Sequence, residues 1–161
     1  MINYPEKAVY TYDDLVDVLR ILRAPDGCPW DREQTHESIK NNLLEEASEA
    51  KEAIESGIPE KIYDELGDVL MQVVFHAQIA KEAGEFDISD VINAVCCKLW
   101  RRHPHVFGDA EIKNSKGVLE AWKAIKKQEK IAEANGKKLD RLTKEEIKEM
   151  WHNAIDEVNN L

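Results

Sequence analysis

The sequence predicts an all-α protein, and three observations carry that expectation. Glycine and proline are scarce, 7 and 5 among 161 residues, which leaves little material for the many tight turns of a β protein. Between these breakers the apolar residues recur with helical spacing, and no stretch reads convincingly as a strand. A composition 43% hydrophobic and 34% charged belongs to a folded chain, and its length suits one domain with a real core.

The punctuation gives about six helices. Thr11 with Asp14 three residues on reads as a capping box opening the first, with Leu15, Val18, Leu19 and Leu22 as its apolar face. The segment from Pro25 through Gly27 to Pro29 is a turn. The second helix runs near 35–56 on a stripe of Ile39, Leu43, Ala47, Ala50 and Ile54, until Gly57 and Pro59 end it and start the next. The third covers about 60–83 and stops at Gly84. Asp87 caps the fourth, whose inward face is read as Val91, Ile92, Val95 and Leu99, and Pro104 stops it. A polar loop, 108–116, leads to a fifth helix near 118–134, closed by Gly136. Thr143 with Glu146 opens the sixth, on Ile147, Met150, Trp151, Ala154 and Val158. The short link between the second and third helices implies an antiparallel pair. The charge-rich segment 126–138 suggests a last helix sitting apart from the core.

Net charge is −10, from 22 Lys and Arg against 32 Asp and Glu, which argues against nucleic acid or an anionic membrane as partner. Cys28, Cys96 and Cys97 form neither an even framework nor a C-x-x-C pair, so they read as reduced thiols of a cytoplasmic protein. Met1 to Lys7 show no signal-peptide apolar region. The most apolar stretch, 66–80, is broken by Asp68, Gln72 and His76, too polar to cross a membrane.

Acids are so frequent that one pair at i, i+3 means little by itself. What matters is where Glu46, Glu49, Glu65 and Asp68 fall. At about 100° per residue, Glu46 and Glu49 flank one edge of the second helix's stripe, Glu46 the closer, while Glu45 points nearly opposite. The third helix is apolar on two sides: Leu66, Val69, Leu70, Val73 and Ala77 on one, Met71, Phe75 and Ile79 on the other. Between them runs a polar line, Glu65, Asp68, Gln72 and His76. Carboxylates on a largely buried helix need a cation or a proton, and no regular i+4 Lys or Arg stands beside these two. A hard divalent ion such as Mg²⁺ or Mn²⁺ fits four clustered carboxylates; a wet acidic groove or a protonated cluster is the competing reading. Glu33–His36 and Glu149–His152 have the spacing of ferritin-like di-iron motifs, but in the wrong chain order.

Lys98 and Arg102, at i, i+4, extend the inward face read for the fourth helix. They either serve the helix C-terminus or meet phosphate. Arg101 falls off that stripe, and His103 and His105 flank Pro104 as structural residues. Trp122 and Lys126 suit stacking a base and holding a phosphate, although core packing is the commoner fate of such a tryptophan.

Four motifs in order now stand out: Cys28-Pro-Trp-Asp-Arg-Glu-Gln-Thr-His36, Leu44-Glu-Glu-Ala-Ser-Glu49, Asp64-Glu-Leu-Gly-Asp68, and Lys98-Leu-Trp-Arg-Arg-His-Pro-His-Val-Phe-Gly-Asp109. Together they resemble the MazG nucleoside triphosphate pyrophosphohydrolases, over roughly 12–130. The resemblance implies an all-α fold with a four-helix core of the all-α NTP pyrophosphatase type, completed by a homodimer. It implies Mg²⁺ on Glu46, Glu49, Glu65 and Asp68, phosphate contacts from Lys98 and Arg102, and nucleotide contacts from Trp122 and Lys126. Residues 131–161 match nothing in that pattern and read as a charged linker with a C-terminal helix.

The expected chemistry is hydrolysis of (deoxy)nucleoside triphosphates to monophosphate and pyrophosphate, directed to non-canonical nucleotides in one version. Glu49 would assist the attacking water, with Glu45 as a helper, and Lys98, Arg102 and Lys126 would stabilise the leaving group. A dUTP- or phosphoribosyl-ATP-directed enzyme and a non-catalytic nucleotide-sensing module are the alternatives. The two apolar sides of the third helix predict a dimer interface using Met71, Phe75 or Ile79.

Overall fold

Helix ends in this chain are written into the sequence as reciprocal side-chain caps. Thr11 and Asp14 cap α1 (Tyr12–Leu22) as a capping box. Thr35 and Ser38 do the same for α3 (His36–Ser56), an exchange the sequence reading missed. A short α2 (Pro29–Glu33) lies between them, where only a turn was expected. α4 (Pro59–Ala83) begins on Pro59, and the C-caps of α3 and α4, Gly57 and Gly84, have φ of 67° and 72°, a conformation that favours glycine. There follow α5 (Ile88–Arg102), α6 (Pro104–Phe107), α7 (Ser115–Ala134), a 3-10 turn at Leu139–Arg141, and α8 (Lys144–Asn159). Thr143 and Glu146 open α8 with two reciprocal bonds of 2.8 and 3.2 Å. The computed structural model describes residues 6–112 and 114–159; among them there is no strand, and no helix is long and apolar enough to cross a membrane.

The chain forms two compact units, Met1–Ile88 and Ser89–Leu161. In the first, α3 and α4 pair as the expected hairpin, and α1 packs on α4. Leu19, Ile39, Val74 and Phe75 form its buried core, with Met71 and Ile79 packed against it. This corrects the expected dimer face: Met71, Phe75 and Ile79 are spent on the unit's own core. The open apolar residues of the hairpin are Leu44, Ile54, Tyr63, Leu66 and Leu70 instead. Arg23, itself buried, donates to both carboxylate oxygens of Glu82 on α4 and to the carbonyls of Asp31 and Gln34, tying the end of α1 to the α2 segment.

In the second unit α8 packs along α7, and Ala124, Ile125, Ile147, Met150, Trp151 and Ala154 form one core with Trp100 against it. The last helix is therefore not apart from the core, because its apolar stripe meets that of α7. The compact units divide at Ile88/Ser89, whereas the sequence reading drew its boundary after residue 130. α5 is also turned from its expected orientation. Ile92, Val95 and Leu99 are 41–51% exposed, whereas Arg101 is 2% exposed. The face toward α7 and α8 carries Trp100 and Arg101, of which Arg101 lies two positions, or roughly 200°, round from Leu99. Hydrophobic spacing alone could not show this, since the arginine is buried by virtue of a partner on another helix.

Candidate functional site

The acids come together where α3 and α4 face each other. α3 buries Ile39, Ala50 and Ala53, while Ala47 and Ile54 of the expected stripe are exposed. That shift brings Glu46 onto the packed face of α3, half-buried, with Glu49 at its exposed edge and Glu45 in solvent. The small side chains of Ala50 and Ala53 let α4 come close. Carboxylate oxygens of Glu46, Glu49 and Glu65 lie within 4.8 Å of one another. Asp68 lies outside that triplet but acts on it: its charge helps raise both Glu46 and Glu65.

The electrostatics are those of an unneutralised anion cluster. Burial, then Asp68 and Glu49, push the Glu46 carboxyl above its ordinary value, against a hydrogen bond from Gln72. Burial, then Glu49 and Asp68, do the same to Glu65. Among the described residues no lysine or arginine pairs with any of the four. Glu65 Oε2 is inaccessible to solvent and has no hydrogen-bond partner, and neither has Gln72 Oε1 beside it. An open groove of about 400 Å³ runs past Glu49, Glu52, Ala53, Ser56, Lys61 and Glu65, which gives the cluster access from solvent. Further along α4, His76 stacks on His36 with Nδ1 atoms 2.8 Å apart, and burial with that neighbour lowers its pKa.

Oxygens around an octahedral Mg²⁺ at about 2.1 Å lie roughly 3–4 Å apart. The triplet therefore needs only side-chain adjustment to accept such an ion. Orphaned buried Glu65 Oε2 and two carboxyls with raised affinity for protons show that the residues fit a cation.

The other candidates lie in the second unit. Lys98 is exposed, on the open side of α5, and neither it nor Lys126 forms an ion pair among the described residues. Arg102 is one-quarter exposed and grips Glu129 of α7 through Nε (3.1 Å) and a second nitrogen (2.7 Å). Trp122 is partly buried, edge-on to His103 at 5.2 Å, and its Nε1 is a buried donor without a partner. The expectation that Lys98 and Arg102 extend a buried inner face does not hold for Lys98, since that face of α5 is open. Arg101 is not a bystander: its Nε donates to Glu129 at 2.7 Å, and it reaches the Leu139 and Cys97 carbonyls. Glu129 was missed altogether. The available signal was its place four residues after Ile125 and eight after Ala121, an acid on the buried stripe of α7.

Among the described residues the regular structure is helical, with acids clustered on α3 and α4 and two arginines on α5. The family model of the MazG nucleotide pyrophosphohydrolase domain matches residues 34–107, from the turn before α3 to the end of α6. The nucleoside triphosphate pyrophosphohydrolase/pyrophosphatase MazG of Thermotoga maritima is 51% identical over 125 residues, 78% of this chain and 48% of that protein. The nucleoside triphosphate pyrophosphohydrolase of Escherichia coli K12 is 46% identical over 129 residues, 80% of this chain and 49% of its own. That of Mycobacterium tuberculosis is 42% identical over 119 residues, 72% and 36% of the two chains. The chain carries a MazG nucleotide pyrophosphohydrolase domain over residues 34–107. It spans about half the length, or less, of these relatives.

Proposed function

We propose that this chain hydrolyses nucleoside triphosphates to nucleoside monophosphate and pyrophosphate, with Mg²⁺ or Mn²⁺ held by Glu46, Glu49, Glu65 and Asp68. The observation that carries this reading is the carboxylate triplet within 4.8 Å, one of whose oxygens is buried without a partner. Desolvated like charges of that kind are costly unless a cation joins them. Bound there, the cation neutralises the triphosphate and lowers the pKa of water.

The protein's own groups supply the rest. Glu49 is the exposed member of the triplet, so it is the carboxylate placed to take a proton from water. Gln72, by donating to Glu46, orients that carboxylate. Lys98, Arg102 and Lys126 hold the phosphates, and Trp122, with its unpartnered Nε1, contacts the nucleotide. The open apolar residues Leu44, Tyr63, Leu66 and Leu70 support a homodimer that completes a four-helix core.

The test is pyrophosphate release from all common ribo- and deoxynucleoside triphosphates, with Mg²⁺ and with EDTA. Metal-dependent release of pyrophosphate is the expected result. Tight nucleotide binding with no release under any condition would instead show a sensing module.

A further inference from the structure

Glu129 is a carboxylate 5% exposed on its side chain, and it is shared by two arginines from α5. Arginine is always charged in a protein, so the group carries two positive charges against one negative. The surplus is not spread evenly. Arg101 is 3% exposed, its Nε going to Glu129 and one terminal nitrogen to Leu139 O and Cys97 O. Arg102 is 25% exposed; Nε and one terminal nitrogen hold Glu129, and the other terminal nitrogen has no partner among the described residues. Stability alone is a weak reason for this arrangement. A buried pair recovers little more than its desolvation cost, and a second arginine on the same carboxylate adds to that cost.

We propose that Glu129 is a positioning residue: it fixes the plane of the Arg102 guanidinium, with Arg101 neutralising it from behind, so that the net positive charge faces outward at Arg102 to receive a phosphate. This rests on the reading of Arg102 as a phosphate ligand. A two-point grip through Nε and a terminal nitrogen fixes the guanidinium plane, whereas a single bond would leave it free to turn. A guanidinium already held in place loses less freedom when the phosphate binds. Glu129 also lies seven residues after Trp122 and three after Lys126, so one side of α7 carries both nucleotide contacts and the anchor for the arginine of α5.

The proposal and a purely electrostatic role for Glu129 predict opposite signs. If Glu129 merely contributes its charge, Glu129→Gln removes a negative group near the phosphates, and the triphosphate should bind more tightly. If it positions Arg102, the same change should raise KM for the triphosphate. The decisive set is measured on the full chain with Mg²⁺, as steady-state pyrophosphate release beside the melting temperature. Arg102→Ala should lower kcat/KM by about 10²-fold. Glu129→Asp, which keeps the charge but withdraws it by one methylene, should lower kcat/KM by roughly tenfold, mostly through KM. The double variant Arg101→Met, Glu129→Gln removes the buried charges together, and its melting temperature should return close to that of the unmodified chain. Its kcat/KM should nevertheless remain low.

Full activity in Arg102→Ala would remove the phosphate reading and the proposal with it. An impaired Arg102→Ala beside fully active Glu129→Asp and double variants would overturn the positioning role alone. Should the double variant fail to fold, Glu129→Asp decides by itself: an unchanged KM refutes the proposal, and a raised KM at an unchanged melting temperature supports it.

Discussion

Arg101→Ala should destabilise the second unit by about 3 kcal/mol, although its place off the apolar stripe of α5 suggested a neutral surface position. The magnitude follows from what the side chain holds. Breaking a buried ion pair by removing one partner costs roughly 3–5 kcal/mol, chiefly because a charge is left uncompensated. Here Glu129 keeps Arg102, at 2.7 and 3.1 Å, so the lower end of that range applies. Two further losses add to it: the Leu139 carbonyl gives up a donor at 3.1 Å, and the space of a 2%-exposed side chain is emptied. In a chain of this size each kcal/mol moves the melting midpoint by roughly 2–4 °C, so a fall of about 6–12 °C is expected. Tryptophan fluorescence is the suitable probe in urea and on heating, since Trp100, Trp122 and Trp151 lie in the second unit and only Trp30 in the first. Arg101→Met, which fills part of the space, should lose less. A midpoint within 1 °C of the unmodified protein for Arg101→Ala would refute the reasoning, because it would mean that Glu129 had never depended on this arginine.

Replacing Glu46, Glu49, Glu65 or Asp68 singly with Gln should abolish most turnover and weaken Mg²⁺ binding, read by calorimetry, while leaving far-ultraviolet helicity intact; full activity in two of the four would end the assignment. The pH dependence of metal-free stability has a definite sign. The folded pKa values of Glu46 and Glu65 are raised, so the folded state binds their protons more tightly than the unfolded chain does. In EDTA their contribution is most favourable below the unfolded carboxylate value near 4.5 and is lost as pH climbs through the raised values. Urea titrations between pH 4 and 8 should show this loss, and Glu65→Gln should diminish it. Glu146 works in the other direction. Lys137 and Thr143 pull it down to about 2, so its support for the start of α8 is complete above the unfolded value and is lost only as pH falls toward 2. Light scattering at micromolar concentration should give a dimer, and Leu70→Glu, on the open side of α4, should yield monomer; a monomeric unmodified chain would refute the assembly.

Much of this was legible because helix termini and packing stripes are local signals. Thr11 with Asp14, Thr143 with Glu146, Gly57 and Gly84 all act within a few residues of where they stand in the chain. The half-burial of Glu65 and Asp68 and the burial of Gln72 likewise followed from the wheel of α4 alone. What failed was anything that depended on which neighbour a face meets. Val95 and Leu99 look like core because they are apolar at helical spacing, yet that side of α5 is open. Arg101 and Glu129 look like surface because each is charged, yet each is buried by virtue of the other, 28 residues away. Met71 and Phe75 were assigned outward for the same reason: the sequence does not say that α1 returns to cover them.

The position of the acids within the hairpin bears on how their cost is tolerated. Large apolar side chains, Leu19, Ile39, Val74 and Phe75, fill the end of the α3–α4 pair where α1 packs. At the other end the helices meet through Ala50 and Ala53, while Tyr63, Leu66 and Leu70 remain open. Glu46, Glu49 and Glu65 sit toward that lightly packed end. Repulsion among them therefore acts on the part of the unit with the least burial holding it, and the well-filled end is free to keep the fold. Replacing one of the carboxylates with an isosteric amide should consequently stabilise the metal-free hairpin even as it removes function, the usual opposition between a functional cluster and stability. A divalent ion would reverse that order, because it stabilises the folded chain in proportion to the logarithm of its concentration over Kd and has little to bind in Glu65→Gln. The crossing of the two melting curves as Mg²⁺ is added reports the site without any reference to turnover.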